Sequence, residues 1–189
     1  MTPKRQSPKP ARRLVLVVRT ISPKSTRGCL QLGALSWPCA IGRSGRGARK
    51  REGDGLTPVG RWQLRQVLYR ADRGLPPRVA LPLRIIRQND GWCDESTDRN
   101  YNRSVRHPYP ASAEKLSRDD RLYDVVVILG YNERPRLRGR GSAIFMHLAH
   151  GDDRATHYKP TAGCIALSAR DLRLVLARLR RGARVLVPA

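Results

Sequence analysis

No apolar run in this sequence reaches the ~18 residues that a membrane-crossing helix needs, which excludes a helical span. Nor does the chain open like a secretory leader: its first 13 residues are basic, but the apolar run at 14–18 is too short for an h-region and meets Arg19 at once. Sustained heptads are missing, which argues against a helical bundle. Acid is scarce as well, with 15 Asp and Glu against 38 Lys and Arg and a formal charge of +23. That balance calls for polyanionic surroundings, whether nucleic acid, an anionic membrane or an acidic wall polymer. The arginines are spread along the whole chain, which counts against a dedicated nucleic-acid partner, and arginine-biased codon usage would give the same excess with no function attached.

Familiar ligand patterns are also lacking. The Gly- and Arg-rich stretch 42–55 lacks the Lys-Ser/Thr ending of a phosphate-cradling P-loop and reads as a mobile basic loop. The patch holding Asp90, Asp94, Glu95 and Asp98 has no EF-hand spacing and reads as a surface loop paired with local arginines. His147, His150, His157 and Cys164 match no zinc pattern. The expectation is no metal and no cofactor. Four cysteines are an even number, yet pairing all of them would consume the one best placed for chemistry. At most one disulfide then forms, Cys29 and Cys39 being the nearest pair, and the redox compartment stays open.

What is present suits a strand-and-turn fold. The 189 residues are enough for one domain with a real core, and 14 Pro and 16 Gly supply frequent turns. Residues 1–12 read as a disordered basic tail and 13–189 as the folded domain. Strands are expected at 14–18, at 29–32 with 37–41 as a hairpin, at 61–69 with a slip in its alternation between Leu64 and Val67, and at 83–86. One helical turn is expected at 113–116, with Ser112 as its cap. The β-branched run 125–129 should be a central strand buried on both faces. Near the end, Ser168 caps a helix whose Leu172, Val175, Leu176 and Leu179 share one face until Gly182 stops it, and a last strand covers 184–187.

The chain is organised around residues 141–167. The apolar run 143–146 reads as a strand delivering His147 at its end, and the turn Thr161-Ala162-Gly163 lets backbone approach Cys164 closely. A thiol and an imidazole that meet suit nucleophilic chemistry: an imidazolium would lower the thiol pKa and furnish a thiolate at neutral pH. Backbone N–H groups of Gly163 and Cys164 could then face a developing oxyanion. On pattern alone, Cys164 in an apolar stretch is more often a small buried hydrophobe than a nucleophile, and a metal site with His147, His150 and His157 is the least favoured reading because their spacing matches no zinc pattern.

Thr161-Ala-Gly-Cys-Ile-Ala-Leu167 preceded by a strand-borne histidine resembles the signature of the L,D-transpeptidase (YkuD-like) family. The likeness extends through Cys39-Ala-Ile-Gly-Arg-Ser-Gly, Lys50-Arg-Glu-Gly-Asp-Gly, Thr57-Pro-Val-Gly60, Asp90-Gly-Trp-Cys-Asp94, Tyr101-Asn102 and Tyr123-Asp124. The resemblance implies a mainly β, single-domain sandwich or barrel with a C-terminal amphipathic helix. It also implies a cysteine acyltransferase acting on peptidoglycan stem peptides in the cell envelope or periplasm, with Cys164 as nucleophile and His147 as general base and acid. His150 or a backbone carbonyl would orient the imidazole. Many members carry a histidine directly before the Gly-Cys pair and an arginine two residues after the cysteine; here these positions are Ala162 and Ala166. Arg43, Arg138 and Arg140 are candidates to replace that arginine, with Thr57 and Thr161 near the substrate. Water as acceptor would make the chain a carboxypeptidase, endopeptidase or other amide hydrolase. A basic module binding wall polymer or nucleic acid through a degenerate site is the alternative of another class. Oligomeric state is not legible.

Overall fold

The computed structural model describes residues 14–150 and 158–189; the expected basic tail and His157 lie outside the described residues. In chain order the strands are β1 (Val15–Arg19), β2 (Arg27–Leu32), β3 (Leu35–Ala40), β4 (Arg46–Gly47), β5 (Thr57–Pro58), β6 (Gly60–Tyr69), β7 (Leu83–Ile85) and β8 (Asp90–Cys93). There follow β9 (Ser104–Arg106), β10 (Ala113–Lys115), β11 (Val125–Leu129), β12 (Phe145–Leu148), β13 (Ile165–Leu167), the helix α1 (Ala169–Leu176) and β14 (Arg184–Val187). The main sheet runs β11-β12-β13-β3-β2-β1-β14-β6-β7, and β11 also pairs with β6. That second pairing closes the sheet on itself as a barrel, with β7 as an extra edge strand beside β6. A small sheet, β10-β8-β9, lies outside the barrel.

Alternation along each strand sorts the side chains. Val125, Val127, Met146, Ile165 and Leu167 enter one continuous core with Leu16, Leu30 and Val185, and α1 adds Leu172, Val175 and Leu176 to it. Fully burying a leucine such as Leu172 contributes roughly 1.5–3 kcal/mol. Val126 and Phe145 face the other way, into a second cluster with Leu68, Ile86, Leu116, Tyr123 and Cys164. This explains why the 125–129 run is apolar throughout: the barrel core takes one face and the second cluster takes the other. The slip seen between Leu64 and Val67 is a β-bulge, since Gln66 pairs with Ile128 while Leu64 pairs with Leu129 and Arg65 is left over. Both Leu64 and Val67 therefore face the core.

Several expectations need correction. The 113–116 segment is no helical turn: residues 113–115 form β10, paired with β8, and the extended backbone brings Glu114 and Leu116, two residues apart, to one side, Leu116 into the second cluster and Glu114 to the cleft beside it. The acidic patch at 90–102 is not a surface loop, since its first part is β8 and Asp90, Cys93, Tyr101 and Asn102 are buried. The stretch 42–55 is held in place by Arg43 N–H to the Thr161 carbonyl (2.8 Å), by β4 on β5, and by Lys50 on Asp54 (2.5 Å). The first strand is shifted one residue, to Val15–Arg19. His147 lies inside its strand, which begins at Phe145 and not at residue 143. The cap at Ser168 is as expected, its hydroxyl accepting from Asp171 N–H (3.0 Å). The helix, however, ends at Leu176, where Arg178 and Leu179 N–H tighten into bonds three residues back and leave Leu179 buried in the turn.

Candidate active site

His147 and Cys164 come from adjacent parallel strands. Met146 pairs with Ile165 and His147 with Ala166, so Cys164, two residues before Ala166, shares the face of His147 and lies diagonally from it. That face points away from the barrel core, and both side chains line one cleft of about 310 Å³. The thiol is 7 % exposed and the imidazole 6 %, so the cleft is the way to each.

The cysteine turn is built by its neighbours. Thr161 Oγ1 accepts from Gly163 N–H (3.1 Å) and donates to the Cys164 carbonyl (2.7 Å). Thr57 Oγ1 accepts from Gly42 N–H (2.8 Å) and donates to the Gly163 carbonyl (2.9 Å). Gly163 has φ +142°, and a Cβ there would stand 2.8 Å from the Leu56 carbonyl oxygen, so only glycine fits. The Cys164 thiol donates to the Ala143 carbonyl (3.2 Å) and its sulfur accepts from Phe145 N–H (3.3 Å). Ala143 itself sits at φ +50°, a strained value for a residue with a Cβ, and its N–H is held by Asn102 Oδ1 (3.2 Å). Asn102 in turn accepts from Trp92 Nε1 (2.9 Å) and donates to the carbonyls of Tyr131 (3.1 Å) and Asn132 (2.8 Å).

The imidazole is oriented by its own strand. Nδ1 lies 2.7 Å from the Leu148 carbonyl, which can only accept, so Nδ1 carries the proton and Nε2 presents a lone pair. The orienting group is thus the backbone carbonyl; His150 is exposed at the cleft and the described contacts give it no such part. Tyr123 stands edge-on to the His147 ring at 5.2 Å, and its hydroxyl donates to Glu114 Oε1 (2.6 Å).

The electrostatics correct the expected thiolate. Burial pushes the Cys164 thiol up to about 12, with nearby Glu114 adding to it, and burial brings the His147 imidazole down to about 4. Near pH 7 the resting pair is a neutral thiol and a neutral imidazole, because neither charge is compensated in so dry a site. Burial also raises the Glu114 carboxyl.

The other expected site residues divide. Thr161 borders the cleft, half-buried. Thr57 is 1 % exposed and supports the cysteine turn from below, beyond reach of a ligand. Arg43, Arg138 and Arg140 do not line the cleft; its Lys and Arg among the described residues are Lys50, Arg118 and Lys159. Lys50 is buried against Asp54, and Arg118 is engaged by Asp120 (2.5 Å) and Glu114 (3.5 Å). Lys159 is exposed and has no carboxylate partner among the described residues. Ala162 and Ala166 open space beside the cysteine, as short side chains must. Sequence reasoning missed Lys159, Glu114 and the part played by Asn102; the only signal was that Tyr101-Asn102 and Tyr123-Asp124 belonged to the resemblance. The hairpin register places Cys39 opposite Gly28 and Cys29 opposite Pro38, so the two thiols leave on opposite faces, and all four cysteines are free. Among the described residues no cluster of His, Cys, Asp and Glu could hold a metal ion, and no helix is long and apolar enough to cross a membrane.

A mainly β barrel with a cysteine and a histidine on adjacent strands, opening into one cleft, defines the class. Residues 11–187 match the L,D-transpeptidase catalytic domain family (YkuD), and the chain belongs to that family. Among solved structures it is similar to L,D-transpeptidase 1 of Mycobacterium tuberculosis, at 14% identity and a TM-score of 0.38, over 94% of this chain and 62% of that one. It is also similar to an L,D-transpeptidase from Mycobacterium smegmatis, at 13% identity and a TM-score of 0.41, over 94% of this chain and 59% of that one. The chain thus spans about three fifths of the length of these solved chains. No curated protein matches it.

Proposed function

We propose that the protein is a cysteine acyltransferase of the L,D-transpeptidase type, acting on peptidoglycan stem peptides in the cell envelope. The observation that supports this best is the placement of Cys164 and His147 on one face of adjacent strands, with Nε2 left as the only basic nitrogen of an oriented imidazole. Substrate entry displaces the Cys164 thiol from the Ala143 carbonyl, and Nε2 takes its proton as sulfur bonds to the scissile carbonyl carbon. The C–N bond then breaks, the terminal D-alanine leaves with the proton from the imidazolium, and a thioester remains. An acceptor amine attacks the thioester, passes its proton to Nε2, and the thiol is reprotonated as the C–S bond breaks. Proton transfer coupled to attack suits a pair that is neutral at rest, since no isolated buried charge need persist.

The oxyanion is received by the Cys164 N–H, which has no partner among the described residues. Gly163 N–H is turned toward Thr161 Oγ1 and assists only if that bond opens. With Ala166 opposite His147, the substrate carboxylate is met by the Lys159 ammonium at the cleft mouth in place of the arginine many members carry. Water as acceptor gives a carboxypeptidase or endopeptidase on the same scaffold, a reading favoured by the space that Ala162 and Ala166 leave.

The test is covalent trapping by a carbapenem, read by intact mass. One adduct is expected, on the peptide holding Cys164, and none in Cys164→Ala, while Cys29→Ala and Cys93→Ala are still trapped. A correctly folded wild-type protein that forms no adduct, or a Cys164→Ala variant that still forms one, would refute the site. Rapid decay of the adduct would favour the hydrolase over the transferase.

A further inference from the structure

A second concavity is more basic than the cleft. The small sheet separates the two: its β10 edge borders the cleft through Glu114, whereas its β9 edge borders a groove of about 510 Å³ between β6, the end of β11 and the 131–136 loop. Four guanidiniums line this groove, those of Arg65, Arg84, Arg106 and Arg136, against two carboxylates, those of Asp90 and Glu133.

Both carboxylates are already used. Arg84 pairs with Asp90 (2.7 Å), whose Oδ2 also accepts from Arg87 N–H (2.8 Å), and Arg65 pairs with Glu133 (2.8 Å). Arg106 stands across β8 and β9 in register with Asp90 yet makes no ion pair among the described residues. Arg136 is half-buried, gives its Nε to the Asn102 carbonyl (3.2 Å), and likewise makes no ion pair among the described residues, the Glu133 carboxylate acting on it without direct contact. Burial and the adjacent Arg103 push its guanidinium down. Trp92, Val105, Ile128, Leu129 and Tyr131 give the lining an apolar part that weakens screening by water, and Gln66, Asn102 and Ser104 a polar part.

Two guanidiniums without an ion pair line one groove, and an anion seated there would be met by both. A planar guanidinium fork matches the oxygens of phosphate and carboxylate groups in particular. We propose that this groove is a binding site for a multivalent oxyanion of the phosphate or carboxylate type, held chiefly by Arg106 and Arg136. The site lies apart from Cys164 and His147, so it stands or falls independently of the acyl-transfer reading.

Calorimetric titration of the whole chain at constant ionic strength tests it, with inorganic pyrophosphate and citrate as separate probes. One saturable site per chain is expected for at least one probe, weakened about tenfold or more by Arg106→Gln and by Arg136→Gln and unchanged by Arg138→Gln, which lies outside the groove. Preference for pyrophosphate assigns a phosphoryl ligand, and preference for citrate a carboxylate one. The Arg106 side chain makes no hydrogen bond among the described residues, so its variant keeps the test valid even if Arg136→Gln disturbs Asn102. No saturable binding of either anion, or equal weakening by Arg138→Gln, overturns the proposal in favour of diffuse surface charge.

Discussion

Cys39 and Cys164 are both buried, and burial pushes both thiols up to about 12. Cys39 faces the barrel core among Leu30, Trp37 and Ile41, while Cys164 faces outward beside His147, with its sulfur receiving Phe145 N–H at 3.3 Å. Acidity at rest therefore does not distinguish Cys164, the proposed nucleophile, from Cys39, a buried hydrophobe. What differs is the face of the strand, and so the access to a base and to a ligand.

The largest effect is expected from removing the proposed base. His147→Ala should lower turnover of a stem-peptide substrate by ~10²–10⁴-fold, the usual worth of a positioned acid-base group, while Cys39→Ala should stay within about threefold. Equal losses in steady-state assays would mean that the outer face has no special part.

The two faces of β12 itself can be set against each other. Met146→Ala, on the core face, should cost about 2–5 kcal/mol of stability in urea unfolding. His147→Ala should cost activity with little of that stability. A Met146→Ala protein as stable as wild type would remove the case for an inner core at β12.

Between the two faces lies Thr57, which ties the cysteine turn to Gly42. Thr57→Val loses both bonds of that hydroxyl and should destabilise by about 1–3 kcal/mol, with a further drop in the carbapenem acylation rate. Unfolding and trapping measured on one preparation would show whether the turn depends on it.

The neutral pair makes two pH predictions of smaller effect. Alkylation of Cys164 by iodoacetamide should keep rising beyond pH ~8.5, the ordinary thiol value, and a plateau reached in acid would reveal a preformed ion pair. The His147 imidazole is lowered from 6.5 to about 4, so the unfolded chain binds its proton more tightly than the folded one does. Its contribution to stability is therefore present above pH 6.5 and lost as pH falls through about 4, and a His147→Gln variant should lack that segment of the stability curve. The smallest effects belong to Arg43→Gln and Arg138→Gln, which should leave turnover within about twofold because neither side chain reaches the cleft, whereas Lys159→Gln should raise KM.

Legibility in the sequence followed locality. The 125–129 strand, the hairpin about Gly33 and the Ser168 cap were readable because periodicity, turn chemistry and capping act within a few residues. Residues 113–116 were misread as helical since their partner, β8, lies some twenty residues away in sequence and a three-residue strand has no periodicity of its own. His147 and Cys164 were legible as a signature, and so was the absence of long side chains at Ala162 and Ala166. The tertiary structure alone decided that Ala166 faces His147, that Leu148 sets the tautomer, and that Lys50, Arg118 and Lys159, and not Arg43, Arg138 or Arg140, line the cleft among the described residues. It also decided the resting charge of the pair, because a pKa depends on how much water and how many charges surround a group, and those neighbours come from strands far apart in the chain.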